Sequence, residues 1–290
     1  MKIGIFDSGV GGLIIAKAIR KAMPEYDYVY LGDTKRVPYG TRSHETVYEF
    51  TKEGVDYLFK KENCAIVIVA CNTASARALR KIQQEYLPHL TPNPSPYKGE
   101  GSFKRNVLGV LIPTAEECVK YKKVGIIGTT GTIASNTFVN EIKKSRRAML
   151  SGSRPNASGL NSKIEIFQNP APMLVPLAEE GEKVLAKPFL IKYLEPLLAQ
   201  KPGAIALGCT HYPFYKSEIR KIVGSKVKVI SQDEIVPKKL KEYFARHREL
   251  EKKLAKNGKA KILVTDITKN VIKLSNSWFG GNIKPELIKL

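Results

Sequence analysis

The chain reads as an α/β protein with parallel-type sheets, built from two similar halves. Three observations predict this class. Short runs of small and β-branched apolar residues alternate with segments of helical period, the pattern that favours parallel strands covered by helices. The same order of elements occurs twice along the 290 residues. In each half, one apolar run ends at a cysteine: Ala65 to Ala70 leads into Cys71, and Ala204 to Gly208 leads into Cys209. The carboxyl end of a buried strand is where α/β sheets place ligands.

The elements follow in order. Lys2 to Asp7 is a short strand, Ser8-Gly9-Val10-Gly11-Gly12 a glycine-rich turn, and Leu13 to Met23 a helix that stops before Pro24. Tyr28 to Leu31 is a second strand. Val37-Pro38-Tyr39-Gly40 is a loop, and Ser43 caps an amphipathic helix running to Lys60. Ala65 to Ala70 is the third strand, followed by a helix from about Ala74 to Tyr86. Leu90 to Gly101 has no apolar period and three prolines, and reads as an inserted loop. Val107 to Leu111 resumes as a strand. The second series has strands at Lys123–Gly128, Ile164–Gln168, Ala204–Gly208 and Val227–Ser231. Its helices start at Ser135, Glu180 and Phe214, with Pro188 and Pro196 as breaks or starts within the second. Ser151 to Ser162, rich in Ser, Gly and Asn, reads as another insertion. A long basic helix from Ile235 to Asn257, a strand from Ala260 to Thr265 and a helix from Lys269 to Trp278 complete the chain.

Composition bounds the function. An apolar share of 43% supports a real core. Four cysteines in so long a chain exclude a disulfide framework, and no CxxC spacing suggests zinc. Thiols without a framework, no signal peptide and no apolar run long enough to span a bilayer point to a cytoplasmic protein with no membrane partner. The formal charge of +21 concentrates in part between Lys216 and Lys261, where fifteen Lys/Arg face six Asp/Glu. Such charge attracts polyanions, and the plainer reading is a solvated lysine-rich surface. Aromatic residues there amount to Tyr243 and Phe244, and no nucleic-acid motif accompanies them.

The glycine turn after Asp7 fits neither the dinucleotide fingerprint nor the phosphate-loop pattern. It reads either as an ordinary turn capped by Asp7, or as a loop holding a small anion with its amides and Ser8. Cys64 and Cys118 suit core packing. Cys71 and Cys209 suit it poorly, because Asn72 and Thr73 flank one, and Thr210 and His211 the other. A lone nucleophile would leave one of these two thiols idle. Two thiols in matching settings suit proton exchange at a carbon acid, one removing a proton from one face while the other returns a proton to the opposite face.

Asp7-Ser8-Gly9-Val10-Gly11-Gly12, Leu31-Gly32-Asp33, Pro38-Tyr39-Gly40, Ala70-Cys71-Asn72-Thr73-Ala74 and Gly208-Cys209-Thr210-His211-Tyr212-Pro213 together closely resemble the glutamate racemase family, within the cofactor-independent aspartate/glutamate racemase superfamily. The resemblance spans nearly the whole chain apart from the two insertions. It implies two pseudo-symmetric α/β domains with glutamate held between them, no cofactor, no metal, a homodimer, and D-glutamate supplied to peptidoglycan. It implies that Cys71 and Cys209 are the acid/base pair. Asp7, Ser8, Tyr39, Gly40, Asn72, Thr73, Thr210 and His211 match the substrate contacts. Glu179, in Val175-Pro176-Leu177-Ala178-Glu179, matches the residue that supports the second cysteine with His211, and Asp7 plays the comparable part beside Cys71. The first domain then takes residues 1–110 and 226–290, with an inserted loop at 91–105. The second takes 111–225, with an inserted loop at 146–162.

The chain departs from the family pattern where Ala171-Pro172 stands for Cys-Pro and Ile112-Pro113 for Glu-Pro. Neither position belongs to the catalytic pair. Two alternatives stand beside this reading: a racemase for aspartate or another acidic amino acid, and a basic nucleic-acid-binding or regulatory protein on the same scaffold.

Overall fold

All nine strands expected from the apolar runs are present, and every strand pairing among the described residues is parallel. In the computed structural model, which describes residues 1–90, 105–151, 163–281 and 283–290, they are β1 (Lys2–Asp7), β2 (Tyr28–Gly32), β3 (Cys64–Val69), β4 (Asn106–Gly109), β5 (Lys123–Gly128), β6 (Glu165–Pro170), β7 (Ala204–Gly208), β8 (Lys228–Ile230) and β9 (Ala260–Val264). A two-residue strand that periodicity did not foresee, β10 (Glu286–Leu287), pairs with β9. The strands form one six-stranded sheet, ordered β10-β9-β2-β1-β3-β4, and one four-stranded sheet, ordered β6-β5-β7-β8.

The second order repeats four strands of the first, with β5, β6, β7 and β8 standing for β1, β2, β3 and β4. This is the internal symmetry expected from the two halves. In each, the chain goes from the first strand to a neighbour on one side, then crosses to a neighbour on the other. The order reverses between β1 and β3, and again between β5 and β7. In parallel sheets such a reversal opens a crevice beyond the carboxyl ends of the two strands. Cys71 follows β3 and Cys209 follows β7, so each cysteine stands at the reversal of its own sheet.

Strand composition follows from this placement. All six residues of β3 are buried, as are all five of β7. Central parallel strands are covered on both faces, so continuous apolar runs replace alternation. Helix His44–Lys60 lies against this sheet, with Ser43 Oγ accepting the Thr46 amide at 3.2 Å as its cap. An added Cβ at Gly54 would come within 2.2 Å of the Phe6 ring, so the absent side chain sets how closely this helix approaches β1.

Several helices differ from expectation. The helix after Cys71 starts at Asn72, because Cys71 itself caps it, and continues as short segments and a π turn at Ile82–Tyr86. The strand expected to reach Leu111 stops at Gly109, and Leu111–Cys118 is helical. Lys183–Leu198 is one helix, with Pro188 and Pro196 inside it. Both prolines are exposed. The basic helix expected through Asn257 ends at Arg246, with a separate turn at Arg248–Glu251.

The chain divides into two units, Met1–Val110 with Pro237–Leu290, and Leu111–Val236. Residues 226–236 were expected in the first domain. They belong with the second unit, because β8 pairs with β7. The expected insertions fall largely outside the described residues, at 91–104 and 152–162. Residues 146–151, assigned to the second insertion, are instead the end of helix Thr137–Ser151. Arg146 anchors that end by donating to the Val119 carbonyl at 2.9 Å.

Candidate active site

In the first unit the site grows from the ends of β1, β2 and β3. Backbone bonds tie these ends together: Asp33 N donates to Asp7 O at 3.0 Å, and Ala70 N to Phe6 O at 2.7 Å. Cys71 follows directly. Its sulfur accepts the Ala74 amide at 3.4 Å and the Ser8 hydroxyl at 3.3 Å, so the glycine turn and the helix start meet at one thiol. Asn72 and Thr73 open that helix and are buried. Asp7 is fully buried and accepts the Gly9 amide at 3.0 Å, which closes the turn carrying Ser8. Gly32 lets the turn approach β2: an added Cβ there would lie 2.3 Å from the Gly9 carbonyl oxygen.

The loop holding Tyr39 and Gly40 is fixed by a buried carboxylate. Asp33 accepts the Tyr39 hydroxyl at 2.5 Å, Arg36 Nε at 2.6 Å and the Thr265 hydroxyl at 2.8 Å. Burial and the neighbouring Asp33 carboxylate push the Tyr39 hydroxyl well above its ordinary pKa, so it stays a donor. With that hydroxyl turned to Asp33, the loop's remaining capacity for a ligand lies in its backbone and in Gly40. Asp33, Arg36 and Thr265 received no role from sequence. The available signal was Leu31-Gly32-Asp33, a strand-end carboxylate like Phe6-Asp7 one strand away.

In the second unit Cys209, Thr210 and His211 follow β7, and all three are buried. Cys209 Sγ lies 3.8 Å from His211 Nδ1, and Thr210 Oγ1 lies 3.5 Å from the same nitrogen. On the other side of the ring, Nε2 is 2.9 Å from Glu179 Oε1. Glu179 ends the helix Leu174–Glu179, which sequence periodicity did not show. Two tyrosines from the turn after His211 hold this helix in place: Tyr212 donates to the Ala171 carbonyl at 2.8 Å and Tyr215 to the Leu174 carbonyl at 3.2 Å. Burial alone would lower the His211 pKa. The bonds and charges of Cys209 and Glu179 outweigh it and raise the pKa to about 10. The imidazole therefore carries a proton at neutral pH, between a sulfur and a carboxylate.

The structure thus joins Asp7, Ser8, Tyr39, Gly40, Cys71, Asn72 and Thr73 around the end of one sheet, and Glu179, Cys209, Thr210 and His211 around the end of the other. Cys64 and Cys118 take no part. Burial raises the Cys64 thiol to about 12 and the Cys118 thiol further, as expected of packing residues. Among the described residues, no cluster of three His, Cys, Asp or Glu suits a metal ion. No described helix is long and apolar enough to cross a membrane.

Comparison with known proteins places this geometry in context. Residues 14–235 match the family model described as Asp/Glu/Hydantoin racemase. A glutamate racemase of Sulfurihydrogenibium is 35% identical, over 100% of this chain and 98% of that protein. One from Aquifex aeolicus is 35% identical, over 99% and 97%. Among solved structures, glutamate racemase from Francisella tularensis in complex with D-glutamate aligns with a TM-score of 0.80 at 28% identity, covering 99% of this chain and 97% of that one. A glutamate racemase isoform from Bacillus anthracis aligns with a TM-score of 0.81 at 29% identity, covering 100% and 97%.

Proposed function

The chain belongs to the Asp/Glu/Hydantoin racemase family, and from that premise we propose that it interconverts L- and D-glutamate using Cys71 and Cys209 as its acid and base. The observation that carries this reading is the recurrence of one cysteine, with polar partners, at the strand-order reversal of each sheet.

The chemistry is a proton exchange at Cα. One thiolate takes the α-proton, leaving the electron pair on a carbanion delocalised into the α-carboxylate. The opposing thiol gives its proton to the other face of the carbon. The product is the inverted enantiomer, with one sulfur now protonated and the other ionised. The developing charge needs fixed donors close by. Ser8, Asn72, Thr73 and Thr210 are the groups proposed to hold the α-carboxylate, with Tyr39 and Gly40 completing the substrate contacts. Asp7 attends Cys71. His211, kept protonated by Glu179, attends Cys209 and donates to its sulfur, which favours the thiolate when Cys209 is the base.

On the same reading the enzyme works as a cytoplasmic homodimer and supplies D-glutamate to peptidoglycan; light scattering checks the assembly state. The test of the activity is racemisation by the purified protein with no cofactor added, followed by chiral chromatography. L-Glutamate should be turned over, and L-aspartate, one methylene shorter, about 10–200-fold more slowly. Cys71→Ser and Cys209→Ser should each lower turnover by about 10²–10⁴-fold. Near wild-type turnover in either variant would overturn the two-thiol assignment.

A further inference from the structure

The turn that supplies His211 also supplies the anchors of the helix that carries its carboxylate partner. Tyr212 and Tyr215 are fully buried, and each hydroxyl reaches a carbonyl 41 positions back in the chain. Tyr212 donates to Ala171 at 2.8 Å and Tyr215 to Leu174 at 3.2 Å. Ala171 is tied from its other side as well, its amide donating to the Gly128 carbonyl at the end of β5 at 2.8 Å. The start of helix Leu174–Glu179 is thereby fixed both to β5 and to the residues after β7.

That helix has little to hold it by itself. It is six residues long, Pro176 lies inside it, and Met173 at its start offers no capping side chain. Its first backbone bonds are long: Leu174 N to Ala171 O at 3.3 Å, Val175 N to Pro172 O at 3.4 Å and Leu177 N to Met173 O at 3.4 Å. So short a helix is marginal without tertiary support. Glu179 stands at its far end, and its side chain is 34% exposed, so water competes for the carboxylate. Its 2.9 Å approach to His211 Nε2 therefore depends on where the helix is held.

We propose that Tyr212 and Tyr215 are positioning residues for racemisation: by fixing helix Leu174–Glu179 they aim Glu179 at His211, and so keep the imidazole a donor to Cys209. The role rests on the acid/base reading of Cys209 and His211 given above, and the tyrosines act through Glu179 rather than on the substrate. Cys209, at the end of β7, and Glu179, on the packed helix, are the titratable groups that hold the proton on His211. Burial pushes both tyrosine hydroxyls above their ordinary pKa, so they stay donors as the site titrates. The Ala171 carbonyl also takes the Leu174 amide, so Tyr212→Phe leaves that carbonyl a partner and the fold should persist.

NMR titration of the imidazole groups in the full-length protein tests this. The chain has four histidines, and His211→Asn identifies the His211 signal by its loss. Tyr212→Phe combined with Tyr215→Phe should weaken proton binding at His211 by about tenfold and lower kcat by about three- to tenfold. The single variants, milder for the fold, must move both quantities in the same direction. In a Glu179→Gln background the same two changes should move neither, because the carboxylate through which they act is gone. Tyr28→Phe is the matched control: it removes a buried hydroxyl that donates to the Met23 carbonyl at 2.6 Å in the first unit, and should leave the His211 midpoint in place. An unchanged midpoint in the double variant, an undiminished effect of the tyrosines without Glu179, or an equal shift in Tyr28→Phe would each overturn the proposal. The titration is read without substrate, whereas turnover of L-glutamate by the unaltered protein tests the acid/base reading, so the two can fail separately.

Discussion

His211 lies buried between a sulfur and a carboxylate, and that placement makes its proton a contribution to stability. An unfolded histidine titrates near 6.5, whereas burial, which alone would lower the value, is outweighed here by Cys209 and Glu179, and the folded-state pKa is about 10. A raised folded pKa means the folded protein binds a proton that the unfolded chain releases. The contribution is therefore complete below about pH 6.5 and is lost as pH rises toward about 10. Glu179→Gln keeps the shape and removes the charge, so the folded pKa should fall and the loss should finish at lower pH. Thermal melts of both proteins between pH 6 and 10 check this; superimposable profiles would mean that Glu179 does not hold the proton. Much of this site was legible as sequence, since Cys-Thr-His at a strand end is compact in the chain. Asp33 was less legible. Its partners Arg36, Tyr39 and Thr265 include one from 232 residues away, and nothing local marks that contact.

The elements show the same division between local and distant causes. Strands could be read directly because a parallel strand covered on both faces must be apolar throughout, as β3 and β7 are. Helices were read less well where they are short and held by distant partners. Leu174–Glu179 contains Pro176 and is anchored by tyrosines that follow β7, so its own six residues carry little period. The helix expected from Glu180 is present as Lys183–Leu198, and only the breaks expected at Pro188 and Pro196 are not, both prolines lying on its exposed side. Glycine positions separate site geometry from packing and yield a paired prediction. At Gly32 an added methyl meets the Gly9 backbone at 2.3 Å, so Gly32→Ala must displace the turn that carries Ser8 toward Cys71. At Gly54 it meets the Phe6 ring at 2.2 Å, and overpacking of this kind costs about 1–3 kcal/mol. Gly54→Ala should lower Tm while the folded enzyme keeps its turnover. Gly32→Ala should lose turnover out of proportion to any fall in Tm. Equal turnover losses in the two variants would show that Gly32 acts through packing alone.

For the whole molecule, the decisive feature is that each unit supplies one thiol from the same position in the same strand order. Duplicated half-sites have a consequence that a single acid/base residue does not share. If one sulfur serves each face of Cα, the proton removed from L-glutamate is not the proton delivered to the D-product. In deuterium oxide, the D-glutamate first formed from L-glutamate should carry deuterium at Cα, while unreacted L-glutamate keeps its hydrogen at early times. Proton NMR of the α-hydrogen alongside chiral chromatography measures both quantities. A single shared base would return part of the abstracted hydrogen to the product, and product retaining substrate hydrogen would overturn the two-thiol reading. The single-cysteine variants sharpen the test. A protein left with one thiol can still exchange the α-hydrogen of the enantiomer facing that sulfur, without inverting it. Cys71→Ser and Cys209→Ser should therefore exchange opposite enantiomers, each faster than its residual racemisation. Exchange of the same enantiomer by both variants would mean that the two half-sites do not address opposite faces, even if both cysteines proved necessary for turnover.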